Sequence, residues 1–261
     1  MTPSIQIPAD SRLRYLLRLA DACLIHAQRQ SEWCGHGPII EEDMALTNMS
    51  LDLIGQARAL LTHVGQLSGK GYDEDQLAFL REERDYLNPT LVELPGRKAG
   101  RDFADAMLRN LMVATWLHLW WQRLQASSDA EVAAIAGKAV KEARYHREHA
   151  SDWVIRLGDG SDESARRMRD ALARLWPYGA ELFAADEADA AAVAGGLGPS
   201  RADLQPEWTS AVLAVLAEAK LAAPAPTLFV PTGSQGVHSE HLGYMLAEMQ
   251  YLQRAYPGGK W

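Results

Sequence analysis

Cysteine is scarce in this chain: Cys23 and Cys34 are its two thiols in 261 residues. Two thiols build no disulfide framework, which sets the expectation of a reducing compartment, and they fall far short of a zinc site. Basic charge is not in excess either. The net charge is -8, and no Lys/Arg run offsets it locally, so general binding to a phosphate backbone, and with it nucleic acid as a partner, is excluded. Residues 1–10 carry no basic stretch followed by an apolar one, so no signal peptide is expected. The most apolar run, Leu111 to Trp121, is about half the length that spans a bilayer. A cytoplasmic protein away from membranes is the expectation. Period-2 alternation between turn residues is missing, so almost no strand is expected. Also missing are Gly-x-Ser-x-Gly, a dinucleotide glycine motif and a Cys/His nucleophile pairing. Gly69-Lys70-Gly71 has the wrong spacing for a phosphate loop and follows no strand.

What is present reads as helix. Apolar residues make up 48% and charged residues 23% of the chain, with a mean hydropathy of -0.21, the composition of a folded globular protein. Helical spacing predicts a first helix over Ser11–Trp33, stopped by Gly35, Gly37 and Pro38, and a second over Glu41–Leu67 with Leu46, Met49, Leu53, Ala57, Leu60 and Val64 inward. A short helical piece over Asp73–Asp85 leads into a loop from Asn88 to Gly100. A third helix, Arg101–Gln125, is apolar on nearly all sides and belongs at the bundle centre. A fourth runs over Asp129–Leu157, and further helices over Asp162–Ala185, with Pro177 as a kink, over Pro206–Leu221 and over His238–Arg254. The last should set Leu242, Met245, Leu246, Met249 and Leu252 along one face. Residues 222–237 form a Pro/Gly loop and residues 1–10 a disordered lead-in. No linker divides the chain, so one all-α domain, a four-helix bundle with additional C-terminal helices, is expected.

The fourth helix carries a broken metal motif. Its apolar stripe, Val132, Ile135, Ala136, Ala139, Ala143, His146, Ala150, Trp153 and Leu157, turns His146 inward. Bundle di-iron proteins pair an inward His with a Glu one turn earlier, on two of their four helices. Here Ala143 occupies that place, and Glu142 sits on the shoulder of the stripe. The second helix repeats the defect: Leu53 lies on the inward face with Gln56 three residues on. The third helix supplies no acid between Asp105 and its end. Glu32, at the foot of the first helix, is the one candidate surviving carboxylate. One histidine and two or three oxygens cannot hold two iron ions. His146 is therefore read as a buried neutral imidazole bonded to Gln56, Glu142 or a backbone carbonyl, with a mononuclear site around Glu32, Glu142 and His146 as the alternative. His238-Ser239-Glu240-His241 superficially has metal-ligand spacing, but opens a helix and reads as capping with surface contact. Trp116, Trp120 and Trp121 read as core.

Four stretches carry a resemblance: Ser31 to His36 (Ser-Glu-Trp-Cys-Gly-His), Leu51 to Arg58 (Leu-Asp-Leu-Ile-Gly-Gln-Ala-Arg), Lys138 to His146 (Lys-Ala-Val-Lys-Glu-Ala-Arg-Tyr-His) and His238 to Arg254. They closely resemble the C-subunit family of the phenylacetyl-CoA epoxidases. The resemblance runs from about Ser11 to Trp261. It implies a ferritin-like fold and a place in a multicomponent oxygenase of aerobic phenylacetate breakdown. In that oxygenase a paralogous A subunit holds the di-iron centre and binds the acyl-CoA. A reductase with flavin and iron–sulfur groups delivers electrons from NADPH, and the set includes a small B subunit. The C subunit is the structural partner of the A subunit, without an active site, metal or cofactor of its own. By the same resemblance the catalytic paralogue's ligands fall on Glu32, Leu53, Gln56, Ala114, Ala143 and His146, of which four are no ligands. The expected role is thus a non-catalytic scaffold with the A subunit as partner and the B subunit and reductase as further candidates. A metal-dependent enzyme and an acyl-CoA-binding bundle without redox chemistry are the competing readings.

Overall fold

The computed structural model describes residues 2–95, 102–225 and 227–259. Four long helices make the framework: α1 (Ser11–Ser31), α2 (Ile40–Ser68), then, after the short α3 (Glu74–Phe79), α4 (Phe103–Leu124) and α5 (Ala130–Gly158). Side-chain caps start three of them where the sequence has Asp. The Asp10 carboxylate accepts from the Leu13 N–H at 2.9 Å, Asp102 caps α4 in a box closed by Asp105, and Asp129 caps α5. Gly69, in the left-handed region at φ 64°, ends α2. The helices pack as two hairpins, α1 with α2 and α4 with α5, and α2 also lies against α5. The result is an all-α, ferritin-like four-helix bundle. Among the described residues there is no strand and no helix long and apolar enough to cross a membrane.

Burial divides the framework unevenly. In α4, 19 of 22 residues are buried, which fits its place at the centre. In α5 only 8 of 29 are buried, on the stripe that ends inward at Ala143, His146, Ala150 and Val154. The remaining elements explain the difference. α6 (Asp162–Leu175) and α8 (Gln205–Glu218) pack on α4 and α5, α7 (Glu187–Ala194) on α1, and α9 (Glu240–Ala255) on α3.

Several expectations change. Residues 2–10 are not a disordered lead-in: the Thr2 N–H donates to the Arg254 carbonyl at 3.0 Å, the Ile5 N–H to that of Leu80 at 2.9 Å, and Ile5 and Ile7 pack on the core. Pro177 does not kink a helix. It stands in the first turn of a 3-10 segment, Trp176–Phe183, that begins where α6 stops. α7, Ala-rich and short, is not legible as a helix from its spacing. The Pro/Gly loop holds a 3-10 turn at Gly233–Gln235, and part of the Asn88–Gly100 loop lies outside the described residues. Leu252 is exposed, so the inward face of α9 is Leu242, Met245, Leu246 and Gln250.

Candidate functional site

The inward faces of α2 and α5 meet where the broken motifs predict. Leu53, Gln56, Ala143 and His146 are all buried there. Gln56 is the hub of the polar groups among them. Its Nε2 donates to Glu142 Oε2 at 3.0 Å, while its Oε1 accepts from the Trp121 indole at 3.2 Å and, weakly, from Cys23 Sγ at 3.6 Å. One amide thus ties α1, α2, α4 and α5 together. Trp121, plain core by its spacing, also holds this amide in place. Burial pushes the Cys23 thiol up, with Glu142 and Asp21 adding to the effect, so it stays protonated.

His146 bonds to a group the spacing does not suggest. Its Nε2 lies 3.1 Å from Asp52 Oδ2, rather than on Gln56, Glu142 or a backbone carbonyl. Asp52 precedes the inward Leu53 by one residue and reaches round from the partly exposed flank of α2. A second imidazole, His26 of α1, is fully buried. Burial first, then Arg109 and His146, push its pKa well below the usual value, so it is neutral. Its Nδ1 has no hydrogen-bond partner among the described residues.

Glu32 does not join this group. It pairs with Arg29 at the foot of α1 and lines a surface pocket with Tyr244, Met245 and Glu248 of α9. The mononuclear arrangement of Glu32, Glu142 and His146 is therefore not formed. Ala114 of α4 is buried and offers no donor. Among the described residues no group of three or more His, Cys, Asp or Glu side chains is placed to hold a metal ion. The donor set around His146, with a hydrocarbon at 53, an amide at 56 and a methyl at 143, does not fit a di-iron centre.

Glu240 is an exposed first-turn residue of α9, as its spacing suggests, but His238 and Ser239 are turned inward instead of capping at the surface. The His238 side chain is buried, with Nδ1 at 2.6 Å from Glu93 Oε1 and Nε2 at 2.8 Å from the Tyr86 carbonyl oxygen. Both partners are acceptors, so the ring is served best as the imidazolium. Burial lowers its pKa, but the Glu93 carboxylate more than offsets this and the value is raised. Ser239 donates through both N–H and Oγ to Glu93 Oε2 instead of capping α9. Beside it the buried Glu181 accepts from the Thr90 and Ser234 N–H groups, each at 2.7 Å, and burial raises its pKa. These two carboxylates pin the loop before α9 to the loop before α4. Asn88 donates to Glu93 Oε1 from nearby at 3.1 Å, but the partners of Glu93 and Glu181 in the loop before α9 lie more than 50 residues away, so nothing in the spacing singles the two acids out.

The family described as "Phenylacetic acid catabolic protein" matches residues 3–261. The C subunit of the 1,2-phenylacetyl-CoA epoxidase of Escherichia coli (strain K12) is 46% identical over 247 residues, which cover 95% of this chain and 98% of that protein.

Proposed function

Because this chain belongs to the phenylacetic acid catabolic protein family, we propose that it is the non-catalytic, structural subunit of a multicomponent di-iron oxygenase that epoxidises the ring of phenylacetyl-CoA. It holds and orients a catalytic, ferritin-like A subunit. The observation that carries this reading is the interior between α2 and α5: Leu53 and Ala143 occupy the places of anionic ligands, and Gln56 and His146 are satisfied by Glu142, Trp121 and Asp52. Such a patch supports packing and has no donor set for oxygen chemistry. In this reading the di-iron centre belongs to the A subunit, and electrons come from a reductase carrying flavin and iron–sulfur groups and using NADPH. The small B subunit is a further partner.

The test is reconstitution. The chain purified alone should contain no stoichiometric iron and turn over no phenylacetyl-CoA, and the A subunit without it should be poorly soluble or poorly active. His146→Ala in this chain should leave the iron content and turnover of the assembled complex within about twofold of wild type. Stoichiometric iron in the isolated chain, or loss of iron from the complex with His146→Ala, would place chemistry in this subunit and defeat the reading.

A further inference from the structure

The outer ridge of α9 sets acids and tyrosines together with no base among them. Glu240, Tyr244, Glu248 and Tyr251 are exposed along it. Their spacing of four, four and three residues puts each about 5–6 Å from the next. Exposed acids on other helices stand beside bases, as Glu148 does by Arg144, Glu163 by Arg166 and Glu207 by Arg123. Glu240 and Glu248 have no ion-pair partner among the described residues. Arg254, the single Arg or Lys of this helix, is held by Gln250, Ser4 and the Arg81 carbonyl. Beside the ridge a groove of about 520 Å³ runs between α9 and the foot of α1. Met245, Met249 and Pro95 give it apolar lining, and Tyr244 and Glu248 border it on the α9 side. On the α1 side Arg29 is already engaged, donating to Glu32 and to the carbonyls of Glu93 and His241.

Lining and charge together name the occupant. Its body has to be apolar to lie on the methionines, and its end has to be cationic to answer Glu248. An acidic segment would meet repulsion, and a wholly apolar one would cover Glu248 without pairing it. Between the two basic side chains the tyrosine decides. A guanidinium can lie flat on the Tyr244 ring and still present two parallel N–H groups to the carboxylate one turn on, whereas an ammonium offers a point charge. We propose that the groove between α9 and the foot of α1 docks a partner polypeptide through an arginine side chain. The arginine stem lies on Met245 and Met249, and its guanidinium stacks on Tyr244 and pairs with Glu248.

The proposal does not depend on the epoxidase reading, because its readout is peptide binding to the isolated full-length chain. Fluorescently labelled hexa-arginine and hexa-lysine serve as probes, followed by anisotropy at about 50 mM salt. Hexa-arginine should bind about threefold or more tighter than hexa-lysine. Glu248→Lys should weaken hexa-arginine binding about tenfold, and Tyr244→Ala about threefold, with unchanged melting temperatures because both side chains are exposed. Tyr244→Phe, which keeps the ring, should bind within about twofold of wild type. Glu218→Lys, the same charge change at an exposed acid of α8, should also stay within about twofold. Equal weakening by Glu218→Lys would reduce the binding to general attraction by the net charge of -8 and overturn the proposal. So would equal affinity for the two peptides, or full binding by Tyr244→Ala. A tenfold gain on replacing Arg97 and Lys98 together by Ala would overturn it as well, by giving the groove to the segment of this chain that follows Pro95.

Discussion

Gln56 is a packing device at the centre of the bundle. Its amide donates to Glu142 at one end and accepts from Trp121 at the other. Restoring Leu53→Glu, Gln56→His and Ala143→Glu together should therefore destabilise the metal-free protein by roughly 3 kcal/mol or more, the scale for burying unpaired carboxylates. A thermal melt in chelator no lower than wild type would show that these positions do not face the core. Asp129 makes a second residue-scale case. Burial raises its pKa, but His63, Arg12 and the Val132 N–H outweigh this and hold it at about 2. A depressed carboxylate contributes stability above its unfolded value, about 3.9, and loses it as pH falls through the folded one. Between about pH 4 and pH 2 the protein should lose about 1–2 kcal/mol through this group, allowing for screening at the half-exposed Arg12. Asp129→Asn should flatten that part of a denaturant-midpoint series against pH.

At the scale of elements, the loop before α9 behaves as a strap. Glu93 and Glu181 take five hydrogen bonds from residues 90 and 234–239, which fixes where α9 begins. The raised pKa of His238 makes the strap pH-dependent. A group whose folded pKa is raised stabilises the fold fully below its unfolded value, about 6.5, and loses that contribution as pH rises through the folded value. Stability should thus fall on the alkaline side. His238→Gln should remove that slope and cost about 1–3 kcal/mol by leaving Glu93 short of a buried partner. Urea midpoints at about pH 6 and about pH 9 measure both effects. α9 itself divides by face. Leu242, Met245 and Leu246 are buried, whereas Tyr244 is 74% and Tyr251 61% exposed, with Tyr256 beyond them. Exposed tyrosines of this kind are common in partner-binding surfaces. Deleting Ala255 to Trp261 should weaken co-purification with the catalytic subunit and leave far-UV helicity nearly unchanged, because the buried anchors and the Thr2–Arg254 bond remain. Full binding by the truncated chain, or its unfolding, would assign the tail to the core.

For the molecule as a whole, the added helices cover one side of the bundle and leave the other bare. α6 to α8 pack on α1, α4 and α5, and α9 lies on α3, while the outward faces of α2 and much of α5 meet solvent. In the proposed role the chain acts through its surfaces, and it offers two of different character. The α9 side is aromatic and polar, beside a pocket that Arg29 and Glu32 help to line. The α2 side is an apolar ridge with one charge at each end.

Helix content, the central place of the third long helix and the inward turn of Leu53, Ala143 and His146 were legible from the sequence alone, because they follow from 3.6-residue periodicity along single helices. The same local information set the expectation that Leu53, Gln56 and Ala143 interrupt a di-iron ligand pattern. Tertiary structure decided which polar groups answer one another: Asp52 for His146, Glu93 for His238, and Arg29 instead of a metal-like neighbour for Glu32. It also decided that residues 2–10 pack against Leu80 and Arg254. Those pairings join groups on different helices or loops, so no pattern along one helix records them. Asp52 sits on a flank that periodicity scores as neutral, and its role depends on where α5 passes.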